Sequence, residues 1–173
     1  MSLSFYDTSV GSFLQVLGGV KQTLAKAVAH AGDGALDLEA LVDFRLHETM
    51  LPLSFQVISV WHHSQGALKG LQAGAFSPPP ALGPQRFADL QGLVDEALAY
   101  CEGCQAADIN ALAGKPMVFR IGEREMPFTT EGFLLSFSLP NVYFHATTTY
   151  SILRHHGVPL GKMDYLGKLR LAK

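Results

Sequence analysis

Charge is scarce in this sequence. Asp, Glu, Lys and Arg make up 16% of it, against 48% apolar residues. A small monomer is dominated by its surface, so either the helices bury more than one face or a partner covers part of the chain. Only two cysteines occur, Cys101 and Cys104. They lie too close together to staple a fold, which excludes a disulfide framework. Basic clusters are missing too: 13 Lys and Arg are spread along a chain of net charge −2. That leaves no electrostatic footprint for nucleic acid and no basic amphipathic stretch for a membrane surface. The most apolar window, 133–144, is interrupted by Pro140 and Asn141 and is too short to span a bilayer. Residues 1–11 have no basic start leading into an apolar run, so no secretory signal is expected and the cytoplasm is the default address.

Several catalytic signatures are also missing. His47-Glu48 is not followed by a second histidine at the spacing a zincin needs, because Leu51 stands there. No glycine-rich phosphate loop leads into a helix, and no G-x-S-x-G elbow occurs. Cys101-Glu102-Gly103-Cys104 has the spacing of a redox pair but falls late on a helix, where the dipole opposes a thiolate. The expectation is one buried Cys101 and one partly exposed Cys104, both structural.

What the sequence does contain is helical periodicity. Over about 8–30, Phe13, Leu17, Val20, Leu24 and Ala27 recur at three- and four-residue steps, and Gly32-Asp33-Gly34 ends the run. Asp37 can cap a short helix to about 46. A second long helix reads from about 50 to 71, with Pro52 in its first turn and Leu53, Val57, Val60 or Trp61, and Leu68 as its stripe. Ser77-Pro78-Pro79-Pro80 is a stiff connector long enough to cross the molecule. A third helix starts near Pro84 and carries Phe87, Leu90, Val94, Ala97 and Cys101. Two short strands, 118–121 and 125–128, flank a turn at Gly122-Glu123-Arg124, with Pro127 confining the second to an edge. Thr129 or Thr130 can cap a short helical run, and Pro140 then starts the fourth long helix. That helix stops at Gly157, with Arg154, His155 and His156 in its last turn and Pro159 beyond. The tail from 160 to 173 is apolar at Met163, Tyr165, Leu166 and Leu169 and should pack back on the helices. The expected fold is all-α: a single four-helix bundle with a small β-hairpin inserted before its last helix.

The fourth helix holds the most informative polar set. Asn141, His145, Thr148 and Ile152 share one face, being four, three and four apart. A histidine and an amide at that spacing can point together into a bundle core, which is how bundles build metal sites with ligands from a facing helix. Gln56, His62 or His63 could supply the facing group. His62 and His63 are adjacent, about 100° apart on an α-helix, so only one is expected to face inward. A single inward histidine that satisfies the core, with Asn141 capping the helix at Pro140, is the competing reading. Tyr143 and Tyr150, seven apart, suit a helix–helix seam.

The stretch Pro140-Asn141-Val142-Tyr143-Phe144-His145, continued by Ile152-Leu153-Arg154-His155-His156-Gly157-Val158-Pro159-Leu160-Gly161-Lys162, resembles the C-terminal signature of an uncharacterised bacterial domain-of-unknown-function family. That family is related to the DinB/YfiT-like metalloenzymes. Met50-Leu51-Pro52-Leu53, with Gln56-Val57 and Gly66-Ala67, resembles its second-helix pattern. The resemblance implies a DinB-like four-helix bundle, often a homodimer, with a non-sequential helix direction that the proline-rich crossover would suit. In the wider superfamily it implies a divalent metal, Zn or Ni, held by three histidines: one from helix two and an H-x-x-x-H pair from helix four. Some members are thiol-dependent transferases or hydrolases. His145 falls at the second position of that pair, whereas the first is Asn141, and neutral amides are poor ligands for such metals.

Three functions follow as expectations. The chain is a metal-dependent transferase or hydrolase acting on a small molecule through His145 with His62 or His63. Or it binds a small ligand, without the full metal site, in a polar pocket around Asn141, His145, Gln56 and Thr148. Or it is a structural or stress-related dimer in which His145 only satisfies the core.

Overall fold

The structure is a computed structural model that describes residues 3–32, 34 and 36–171. It is mostly helical. Ser4 opens α1 (Phe5–Thr8) with a capping box: its hydroxyl accepts from the Asp7 N–H while the Asp7 carboxylate accepts from the Ser4 N–H. A break at Ser9 follows, and α2 runs Val10–Gly32. The helix expected over about 8–30 is α2, and the short α1 lies ahead of it, closed where the Ser9 hydroxyl donates back to the Phe5 carbonyl. The stripe Phe13, Leu17, Val20, Leu24 and Ala27 is buried as expected. Of the residues expected to end it, Asp33 lies outside the described residues, as do Met1, Ser2, Ala172 and Lys173 at the two ends. Asp37 caps α3 (Leu38–Val42) by accepting from the N–H groups of Glu39 and Ala40.

The second long helix is α4 (Leu53–Trp61), a π-helical turn (His62–Gly66) and α5 (Ala67–Ala73) in continuous succession. Gly74, at φ 72°, ends it and turns the chain into the two-residue strand β1 (Ala75–Phe76). The proline-rich connector leads to α6 (Phe87–Gly103), which starts three residues after Pro84, its Asp89 closing the first turn onto the Arg86 N–H. Phe87, Leu90, Val94, Ala97 and Cys101 are all buried. After α7 (Ala106–Asn110) come β2 (Pro116–Ile121) and β3 (Arg124–Thr129), an antiparallel pair joined through Gly122 at φ 56°. β1 adds in parallel to β2, pairing Ala75 with Val118 and Phe76 with Phe119. The expected hairpin is thus the larger part of a three-stranded sheet in which β3, carrying Pro127, is an edge.

The last long helix begins earlier than expected. Thr129 caps α8 (Thr130–Phe133) by accepting from the Gly132 N–H, and a second π-turn (Leu134–Ser138) leads without a break into α9 (Leu139–His155). Pro140 lies inside this continuous helix. Its missing N–H and its ring are tolerated because the wider π-turn just before it loosens the i, i−4 register. α9 ends at Gly157, at φ 85°.

α2 packs against both α6 and α9, and α4 packs against the same two helices. Phe76, Phe119, Phe133 and Phe137 bind the sheet to this core, with centroids 5.1 Å apart for Phe76–Phe133 and 4.7 Å for Phe119–Phe137. The apolar tail packs back as expected. Its helix α10 (Lys162–Leu166) lies on α2, where Asp164 accepts from Gln22 and Lys26 and Gln15 donates to the Leu166 carbonyl. No helix among the described residues is long and apolar enough to cross a membrane.

Candidate functional site

The two π-turns meet at the histidines. Ser138 Oγ, at the end of the second, donates to the His63 carbonyl in the first at 2.6 Å, and both residues are buried. His62 and His63 are both buried as well, which corrects the expectation that only one could face inward. An α-helix would send adjacent side chains about 100° apart, but His62 and His63 open a π-turn, whose i, i+5 bonding winds more slowly. His62 folds back over Gly66, where a Cβ would come within 2.7 Å of its Nδ1, and reaches the Ser77 carbonyl through Nε2 at 2.7 Å. A carbonyl only accepts, so His62 carries its proton on Nε2.

His145 rises from α9 to meet α4. Its Nδ1 lies 2.8 Å from Gln56 Oε1, and the Gln56 amide nitrogen donates to the Leu51 carbonyl at 2.8 Å. Because that carbonyl only accepts, the amide must turn its nitrogen toward Leu51 and its oxygen toward His145. His145 therefore holds its proton on Nδ1, and its Nε2 carries a lone pair. The imidazole of His63 lies nearly parallel to it, 6.1 Å between centroids and 14° between planes. Phe55 and Phe144 stand 5.8 and 5.2 Å from His145, while Phe137 and Phe76 each stand 5.5 Å from His63.

Burial keeps both rings neutral. It pushes the His145 imidazolium down to about 4, and it pushes His63 down to about 3, helped by the neighbouring His62 and His145. His63 Nδ1 is buried with no hydrogen-bond partner. An orphaned N–H is costlier than an orphaned lone pair, so the His63 proton belongs on Nε2. Neither His63 Nε2 nor His145 Nε2 is sealed from solvent or bonded within the described residues.

Asn141 and Thr148 are not drawn into this cluster. Asn141 Nδ2 donates to the Phe137 carbonyl at 2.7 Å, in the turn where Pro140 supplies no N–H, and Thr148 Oγ1 donates to the Phe144 carbonyl at 2.9 Å. Both serve their own helix. The sites that sequence reasoning missed are Ser138, Phe55 and Phe144. Only Ser138, a hydroxyl two residues before a proline, leaves a trace in sequence.

The three-histidine metal site implied by the resemblance does not fit these residues. The first helix-four position is an asparagine turned onto its own backbone, and the His62 Nε2 is spent on Ser77. Among the described residues no three His, Cys, Asp or Glu side chains converge to hold a metal ion. Elsewhere, Cys101 is buried, its thiol pushed up to about 12 by burial, and Cys104 is half-buried with its thiol also raised; both are free. Neither is an activated nucleophile. Tyr150 meets Tyr165 of the tail at 6.2 Å, while Tyr143 is exposed. Two surface cavities, of about 660 Å³ beside the tail and about 300 Å³ beside Tyr100, are not lined by the histidines.

A family model described as "Domain of unknown function (DUF1993)" matches residues 5–166. Among solved structures, the chain is similar to a DinB family member protein from Shewanella denitrificans, determined by crystallography at 1.83 Å resolution. The two are 28% identical, with a TM-score of 0.81 over 97% of this chain and 94% of that one. No curated protein matches the chain.

Proposed function

The chain belongs to the DUF1993 family of domains of unknown function and shares its fold with a DinB family member, and from that footing we propose that it is a small-molecule-binding protein built as a four-helix bundle. Its binding centre is His145, paired with His63 and oriented by Gln56, without the three-histidine metal set of the wider superfamily. The observation that carries this reading is the Gln56–His145 hydrogen bond. It fixes one tautomer and so presents one defined acceptor, Nε2, at a site whose neighbours are aromatic. A structural core histidine needs such a partner as well, so the support for a binding role is the unbonded Nε2 beside aromatic neighbours that the bond leaves over. The four-helix arrangement draws support from the mutual packing of α2, α4, α6 and α9.

The test is elemental analysis of protein purified without an affinity tag, joined to ¹⁵N spectra of the histidine side chains during a small-molecule screen. The expected result is less than stoichiometric Zn or Ni, with ligand-dependent shifts at His145 and His63. Stoichiometric metal that disappears in His145→Ala would overturn this reading in favour of a metal-dependent enzyme.

The same reading includes a homodimer in the cytoplasm. Leu135 and Tyr143 are exposed on a charge-poor chain, which supports a self-association surface, and the two free thiols suit a reducing compartment. Light scattering at micromolar concentration should give twice the chain mass; a monomer mass would reject the dimer.

A further inference from the structure

The tail leaves a groove where it crosses α2 and α6. Its volume is about 660 Å³, within the range of roughly 300–1,000 Å³ that small-molecule sites take. α2 supplies Gly11, Leu14, Gln15 and Gly18, which recur at three- and four-residue steps and so share one face. Between the first and the last of them the helix rises about 10 Å. α6 supplies Leu98 and Glu102, one turn apart, and residues 168–171 of the tail form the remaining wall. The groove shares no residue with the histidine cluster, so its occupant is independent of what binds at His145.

Two chemistries line it. One is apolar: Leu14 and Leu98 are partly buried, and Leu169 and Leu171 of the tail are exposed. A Cβ at Gly18 would meet nothing within 4 Å, so the groove is open down to the α2 backbone at that point. The other is cationic. Among the described residues neither Lys168 nor Arg170 forms an ion pair. Arg170 Nη1 donates to the Asp7 carbonyl at 3.1 Å, passing over Gly11, where a Cβ would come within 2.9 Å of it. One such bond leaves most of the five guanidinium N–H groups for a ligand. The nearby anions are Asp7 and Glu102. The Asp7 carboxylate is bonded to Ser4, and the Glu102 charge also acts on Lys21. Two cations against one lining carboxylate leave the groove net positive.

From this pairing of an apolar floor with unpaired cations we infer that the groove binds a single-chain amphipathic anion, an ionised aliphatic carboxylic acid. Its carboxylate meets Lys168 and Arg170, and its chain lies along Leu14, Gly18 and Leu98. A guanidinium can hold a carboxylate through two parallel hydrogen bonds. The chain takes the place of water on Leu169 and Leu171. A neutral apolar ligand would leave both cations unused, and a cationic one would be repelled by them.

Octanoate, octanol and octyltrimethylammonium carry one chain behind an anionic, a neutral and a cationic head. Each is titrated, below its micellar range, into the full chain labelled with ¹³C at the leucine methyls. Octanoate should shift Leu14, Leu98 and Leu169 and bind about tenfold more tightly than octyltrimethylammonium, as two exposed ion pairs allow. That ratio should shrink at high salt. Lys168→Glu breaks no ion pair and reverses the balance of charge, so the preference should turn toward the cation while octanol binds as before. Gly18→Leu projects a side chain into the groove and should block all three, with the thermal midpoint unchanged or raised. Equal affinity for octanoate and octyltrimethylammonium, or a preference that Lys168→Glu leaves intact, would overturn the anion assignment. Octanoate binding undiminished in Gly18→Leu would overturn the placement. Methyl shifts with none of the three would overturn the site, and shifts with phosphatidylglycerol vesicles alone would make it a membrane contact instead.

Discussion

Ser138 and His63 tie two helices together at the one place where both abandon α-geometry. The Ser138 hydroxyl gives its proton to the His63 carbonyl inside the first π-turn, 75 residues away in sequence. The bond satisfies a buried carbonyl next to the stacked imidazoles. In Ser138→Ala that carbonyl loses this partner, and the cost should be about 1–3 kcal/mol of stability by urea denaturation. The histidine ¹⁵N spectrum should change at His63 more than at the distant His30. An unchanged spectrum would mean that Ser138 has no hold on the site.

Gln56 controls the tautomer of its partner. Gln56→Leu keeps the bulk and removes the acceptor, so the His145 proton is no longer confined to Nδ1. The ¹⁵N shifts of the His145 ring should move toward mixed tautomers, with a stability loss of about 1–3 kcal/mol. A His145 that stays purely Nδ1–H in this variant would show that something other than Gln56 orients it. His145→Ala should cost a similar amount, since it strips Gln56 Oε1 of its partner.

Acid should weaken the fold through the same cluster. His63 and His145 are held near 3 and 4 by burial, with His62 also lowered, against an unfolded value near 6.5. Between those values the unfolded chain binds more protons than the folded one, so stability rises with pH. It is fully present above about 6.5 and is lost as pH falls toward 4, by up to about 1.4 kcal/mol per pH unit for each histidine. Urea midpoints at pH 7 and pH 5 check this. In His63→Phe the difference between them should shrink; an undiminished difference would place the acid sensitivity elsewhere.

Two helical glycines should respond in opposite senses. A Cβ at Gly19 would land on the carbonyl oxygen of Tyr165, backbone that has nowhere to go, whereas a Cβ at Gly92 in α6 meets nothing within 4 Å. Gly92→Ala should stabilise the chain by about 0.5–1 kcal/mol through helix propensity. Gly19→Ala should lower the urea midpoint and raise proteolysis of the tail. Stabilisation by both substitutions would show that the tail does not pack on α2 in solution.

Helix positions were legible wherever one stripe meets one neighbour. The five buried positions of α6 follow three-four spacing without a slip, and Asp37 and Gly157 mark helix ends by chemistry that acts within a turn. The pattern failed where tertiary contact overrides the local rule. Pro140 reads as a helix start, yet the π-turn before it carries the helix through. His62 and His63 read as mutually exclusive, yet the other π-turn buries both. β1 is two residues long and exists only because β2 is there to pair with it. Of the site, His145 and Gln56 were legible as a facing pair across helices, while Asn141 and Thr148 went to their own backbone, as short polar side chains on helices do when no partner reaches them.

The tail helix α10 closes on α2 through Asp164, whose carboxylate holds Gln22 and Lys26, and through the bare backbone of Gly19. These contacts join residues about 140 apart, among the longest loops this chain can close, so their entropy cost falls on the final stage of folding. During synthesis the strip of α2 around Gly19, which α10 covers, stays open after α6 and α9 have packed against the rest of that helix. A chain lacking residues 160–173 should therefore expose this strip to aggregation and to chaperone capture, although its other helices and its sheet are complete.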